Sequence, residues 1–158
     1  MPKEYSFPGA LTAAKIKDKK VVLQTSKGVI EFELFGDEAP KTVSNFVYLA
    51  EAGYYDGLTF HRVVPGFVIQ GDDPQGTGSG GPGYTFADEP VKRDYEQGIV
   101  AMANAGPDTN GSQFFIMLED NPTLPKAYTI FGRVTQGLEV VKQIAVSDRI
   151  EKASVVSL

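Results

Sequence analysis

Apolar and polar residues alternate along GVIEFELF (residues 28–35), where Ile30, Phe32 and Leu34 interleave with Glu31 and Glu33. This two-residue period predicts a strand with one face in water. VVLQT (21–25) precedes it across Ser26, Lys27 and Gly28, so the pair reads as a hairpin. The period then changes. Val43, Phe46, Val47 and Ala50 fall at i, i+3, i+4 and i+7 behind Pro40 and ahead of Gly53, which predicts a helix from about 40 to 52. Short apolar runs broken by Gly, Pro, Asn and Asp follow, with strands expected at 59–64, 67–70, 99–102, 113–117 and 129–134. A second helix is expected over 136–145, capped by Thr135, with Leu138, Val141, Ile144 and Ala145 on one face. ASVVSL, at the C-terminus, reads as a closing strand. Many short strands with two helices predict a mainly β fold: a closed eight-stranded antiparallel barrel, capped by two α-helices, because closure removes exposed edges.

Composition narrows the partners. A length of 158 residues with 42% apolar content suits one domain. Residues 21–158 are expected to form it, with residues 1–20 as an N-terminal extension holding a short helical stretch near Leu11–Ile16 and lying as a strap along the barrel. Fifteen basic against 20 acidic residues leave a net charge of −5, without the cationic excess that binds nucleic acid or anionic lipid. Neither is expected as a partner. No cysteine is present, so disulfides, thiol nucleophiles and cysteine-ligated metals are excluded. The first 20 residues lack a signal-peptide core, and no run approaches membrane-span length, so a cytoplasmic monomer is the expectation.

Several motifs carry little weight. GTGSGG (76–81) spaces Gly76, Gly78 and Gly81 like a dinucleotide fingerprint, but Pro82 and Gly83 follow where a phosphate-binding helix would have to begin. A tight loop is expected instead. Asn110, Gly111 and Ser112 form a glycosylation sequon of the kind chance often supplies. His61, the only histidine, could serve as base for Ser112 or Ser79 in a hydrolase, yet no nucleophile elbow is present. One histidine without cysteine offers no usual zinc set, so no metal is expected.

Arg62 carries more. Within TFHRVVPGFVIQGDD (59–73), alternation puts Phe60, Arg62 and Val64 on one face, and the Pro65-Gly66 turn returns the chain through Phe67, Val68 and Gln70. The hairpin thus joins a permanent cation, an aromatic wall and an amide able to orient the cation. FHRVVPGFVIQG, then MANAGPDTNGSQFFI, then YTIFGRV together resemble the cyclophilin family of peptidyl-prolyl cis-trans isomerases, in its compact, bacterial-like form. The resemblance runs from about Val21 to the C-terminus.

That resemblance implies an eight-stranded barrel with a helix over each end. It places the family's catalytic arginine on Arg62, the neighbouring histidine on His61 and the steadying glutamine on Gln70. The proline pocket falls on Phe67, Val68, Phe115 and Leu124, with Tyr128 at a rim position often held by histidine. Ala103, Asn104 and Gln113 match residues that bind the substrate backbone on its N-terminal side. Departures are Val68 for the usual methionine, Asp72 for the usual glycine and Thr123 for a frequent tryptophan. The implied partners are proline-containing peptides and unfolded or folding proteins, with at most weak cyclosporin binding, and the implied cofactor is none.

The chemistry is consistent with that set. A Xaa-Pro bond turns over a barrier of about 18–20 kcal/mol because nitrogen shares its lone pair with the carbonyl. Twisting localises that pair on nitrogen, so a donor aimed there acts only in the transition state. A non-catalytic proline-peptide-binding module or chaperone is the alternative from another class, and the donor at Arg62 has no evident use in it.

Overall fold

In the computed structural model, which describes residues 4–76, 78 and 80–158, the hydrophobic alternation becomes eight strands and three short helices. The elements run α1 (Ala13–Ile16), β1 (Lys19–Thr25), β2 (Gly28–Leu34), α2 (Pro40–Glu51), β3 (Arg62–Val64), β4 (Val68–Gly71), β5 (Ile99–Met102), β6 (Phe114–Met117), β7 (Ile130–Gln136), α3 (Leu138–Val141) and β8 (Ile150–Ser157). All strand pairs are antiparallel, in the order β3-β4-β6-β5-β7-β2-β1-β8.

The closed barrel expected from the pattern is corrected here: the sheet is a curled half-barrel whose edges, β3 and β8, share no ladder. The cause lies at Phe60. Instead of continuing the strand, its side chain turns into the main core, and the ladder begins only at Arg62. Residues 57–60 meet the turn before β8 irregularly, through one Thr59–Arg149 bridge and main-chain bonds such as Gly57 N–H to Ile150 O at 2.7 Å and Phe60 N–H to Asp148 O at 2.9 Å. Gly71 permits this approach, since a Cβ there would lie 2.8 Å from the Phe60 Cα.

The central strands β5 and β6 are buried throughout, as continuous apolar runs require. Alternate residues serve two clusters. Val100, Met102, Phe114 and Ile116 face the main core, where Phe32, Phe46, Phe114 and Phe131 pack edge-on or tilted, with centroids 5.6–6.3 Å apart. Ile99, Ala101, Phe115 and Met117 face a smaller cluster with Val68, Tyr95 and Ile130, bordered by Phe67, Leu124 and Tyr128.

Helix α2 forms where the period predicted and buries almost all of its middle, Thr42 to Val47. Ala39 supplies no cap. The Glu89 carboxylate replaces it from a distant loop, accepting the Lys41 N–H at 3.0 Å and the Thr42 N–H and hydroxyl at 2.6 Å each. The helix expected over 136–145 shrinks to four residues. Thr135 belongs to β7, and Gly137, in the left-handed region at φ 88°, starts α3. Helix α1 falls within the helical stretch expected near Leu11–Ile16.

Candidate active site

The β3–β4 hairpin builds one wall of the site. Pro65 and Gly66, the latter at φ 76°, turn the chain, and the Phe67 N–H returns to Val64 O at 3.0 Å. The resulting register sets Arg62 opposite Gln70 and Val64 opposite Val68. Arg62 Nη1 donates to Gln70 Oε1 at 3.0 Å, and the guanidinium lies 6.0 Å from the Phe67 ring centre. The cation is therefore exposed yet tethered, with further N–H groups free for a ligand.

Beneath it lies a hollow of about 260 Å³ lined by Arg62, Phe67, Val68, Gln70, Ala103, Asn104, Phe115, Leu124 and Tyr128. Nine of the eleven residues read from the sequence converge here. Gln113 instead lines a neighbouring hollow of about 730 Å³, which shares Gln70, Ala103 and Asn104 with the first. Its Nε2 donates at 3.0 Å to both Gly78 O and Gly80 O, so it holds the glycine-rich loop. His61 lines neither hollow, and its buried Nδ1 has no hydrogen-bond partner among the described residues. The Asn104 side chain is committed internally, donating to Ala127 O at 2.8 Å and accepting from the Gly106 N–H at 3.2 Å. Thr123 is exposed and lines neither hollow.

The far wall depends on a residue the pattern did not single out. Tyr95, buried, donates its hydroxyl to Tyr128 O at 2.6 Å and accepts the Tyr128 N–H at 3.1 Å, while its own carbonyl takes the Asn121 N–H at 2.8 Å. Burial pushes the Tyr95 phenol up, against the lowering effect of the Tyr128 bond, which keeps it a donor. Tyr128 then stands edge-on to Phe115 at 5.5 Å. The contact joins positions 33 apart in sequence and has no local signature.

The weaker motifs resolve on structural grounds. Ser112 is buried with its hydroxyl donated to Asp72 O at 2.7 Å and no histidine on it, so it is no nucleophile, and Ser79 lies outside the described residues. Asn110 is fully buried, its amide donating to Phe86 O and Asp88 Oδ1, where a glycan has no room. In the glycine loop Asp73 takes the Gln75 N–H at 2.8 Å and the Gly78 N–H at 2.6 Å, so an internal carboxylate occupies amides that a phosphate would need. Among the described residues no group of three or more His, Cys, Asp or Glu side chains could hold a metal ion, and no helix is long and apolar enough to cross a membrane.

Asp72, where glycine was the expectation, is fully buried at φ 78°. Neither carboxylate oxygen has a partner among the described residues, and that burial holds its carboxyl well above the usual carboxylate range. Nearby, desolvation raises the Tyr54 phenol to about 12, its bond to Ser112 notwithstanding.

Residues 20–157 match the model of the family described as cyclophilin type peptidyl-prolyl cis-trans isomerase/CLD. Peptidyl-prolyl cis-trans isomerase B of Bacillus subtilis is 53% identical over 128 residues, covering 80% of this chain and 90% of that protein. Peptidyl-prolyl cis-trans isomerase-like 1 of Rhizopus delemar is 53% identical over 131 residues, covering 80% and 79%. A crystal structure of a cyclophilin type isomerase from Cryptosporidium parvum in the presence of the dipeptide Ala-Pro superposes with a TM-score of 0.82 at 37% identity, covering 88% of this chain and 99% of that one.

Proposed function

Because this chain belongs to the cyclophilin-type peptidyl-prolyl cis-trans isomerases, we propose that it accelerates Xaa-Pro rotation through Arg62, with the smaller hollow gripping the proline ring. The carrying observation is the tethered guanidinium at the mouth of an apolar hollow: Gln70 holds one Nη1–H at 3.0 Å while Phe115, Leu124 and Val68 form the apolar floor and sides.

A proline ring seated against Phe115 turns its imide nitrogen toward Arg62. As the bond twists and the nitrogen pyramidalises, a guanidinium N–H donates to the localised lone pair, a bond absent in the planar ground state. One such charge-assisted bond contributes about 1.5–3 kcal/mol. The rest of the acceleration comes from holding one side of the rotating bond still. The larger hollow receives the residues N-terminal to the proline. The main chains of Ala103 and Asn104 hold them, since the Asn104 amide is already engaged with Ala127. His61 takes no part in proton transfer, in keeping with its place outside both hollows. No bond is made or broken, so neither nucleophile nor metal has a role. Proline-containing segments of folding proteins are the natural substrates, and cyclosporin binds weakly at most, with the small Thr123 in place of a large aromatic rim.

Exchange spectroscopy on an Ala-Pro peptide tests this. Cis-trans exchange is expected to be fast with the wild-type protein and about 10- to 100-fold slower with Arg62→Ala, the loss of one charged hydrogen bond. Undiminished exchange in the variant would remove Arg62 from the mechanism.

A further inference from the structure

The segment ahead of residue 20 lies outside the family match, yet its described part is built onto the larger hollow from behind. Phe7 stacks face to face on Phe86, with centroids 4.8 Å apart and planes 6° from parallel, and leans on Tyr84 at 5.9 Å. Tyr5 stands edge-on to Tyr54 at 5.1 Å. Its main chain is pinned to α2, where the Ser6 N–H reaches Tyr48 Oη at 3.2 Å and the Leu11 N–H reaches Ser44 Oγ at 2.8 Å.

The residues under this strap hold the hollow's wall. Tyr84 lines the hollow, and its hydroxyl donates to Asn45 Oδ1. Asn45 Nδ2 in turn donates to Gly111 O at 2.9 Å, and Gly111 also lines it. Tyr54 Oη lies 2.9 Å from the Oγ of Ser112, a third lining residue. Residues 80–85 form no strand or helix, and the Phe86–Asn110 bridge is the ladder contact that follows them. Such a wall takes its position from what packs behind it. None of the lining residues carries a charge, so the space suits uncharged side chains.

We propose that the N-terminal strap sets the shape of the larger hollow, with Phe7 as a positioning residue for Tyr84, and so governs affinity for substrates extending N-terminally from the Xaa-Pro bond. This rests on the reading that the larger hollow receives those residues. A rigid wall binds an extended peptide without first being ordered, and a loosened one must be ordered on binding.

The test compares wild type, Phe7→Ala and Phe7→Leu on an Ala-Pro amide and on an uncharged peptide with three further residues N-terminal to it. For Phe7→Ala, KM for the longer peptide is expected to rise about three- to tenfold, the scale of a lost aromatic pair, with kcat and the short peptide's KM unchanged. Phe7→Leu, which keeps apolar volume without the flat stack, is expected to show a smaller rise of the same selectivity, and it decides the matter should the alanine variant lose its fold. Equal changes on both peptides, or none, would overturn the proposal. Amide NMR shifts give a readout independent of turnover: those of Gly83 and Gly111 are expected to move in the variants while those of Phe67 and Leu124 stay in place. Immobile Gly83 and Gly111 signals would refute the strap's role, whereas absence of exchange in wild type would count against the isomerase reading instead.

Discussion

Asp72→Asn is nearly isosteric and removes a titratable group from a site that gives it no partner. In the folded chain the Asp72 side chain is fully buried, both oxygens lack hydrogen bonds among the described residues, and burial raises its pKa well above the ordinary value. The facing phenols of Tyr54 and Tyr55 are themselves raised by burial, so neither ionises near neutrality. With the folded pKa above the unfolded one, the unfolded chain loses its proton first. As pH rises from about 3.9, the native state binds more protons than the unfolded state, and stability falls by about 1.4 kcal/mol per pH unit until the folded pKa is reached. Asparagine has no such term, and all other carboxylates are common to both proteins. Urea unfolding of the pair between about pH 4.5 and 6.5 should therefore show the variant gaining on wild type as pH rises, at equal m-values. A gap that stays constant across that range would refute the reasoning, since it would mean that the folded carboxyl ionises as freely as the unfolded one.

Two further predictions concern long-range supports. Tyr95→Phe removes the hydroxyl that bridges the Tyr128 N–H and carbonyl; it should cost about 1–3 kcal/mol in urea unfolding and raise KM for Ala-Pro peptides more than it lowers kcat, because the wall moves while Arg62 does not. Unchanged KM would show that the wall holds without the clamp. Glu89→Ala strips the N-terminus of α2 of its carboxylate cap and should cost about 1–2 kcal/mol by thermal melting, with exchange catalysis intact at 25 °C; an unaltered melting temperature would mean that water caps the helix as well.

Much of the site was readable because it is local. Pro65-Gly66 is a turn with a fixed register, and that register alone sets Arg62 opposite Gln70. Runs such as FFIM and IVAM announce strands buried on both faces, which is how one strand feeds the core with Phe114 and the smaller hollow with Phe115. The extended motifs around Arg62 and Asn104 carried the family, which the later match over residues 20–157 bears out. Local pattern failed where a residue abandons its period. Phe60 reads as the start of a strand, yet it turns inward and leaves the half-barrel open.

From the chain of letters alone came the strand and helix periods, the absence of thiol chemistry and the hairpin that presents a cation beside an apolar wall. These depend on neighbours a few positions apart, where backbone geometry relates spacing directly to direction. Folding in three dimensions decided that the sheet stays open, that Glu89 caps a helix 47 residues away, that Tyr95 braces Tyr128 and that Phe7 backs the larger hollow. Such contacts form between segments whose separation along the chain carries no period, so only the packed core sets which side chains meet.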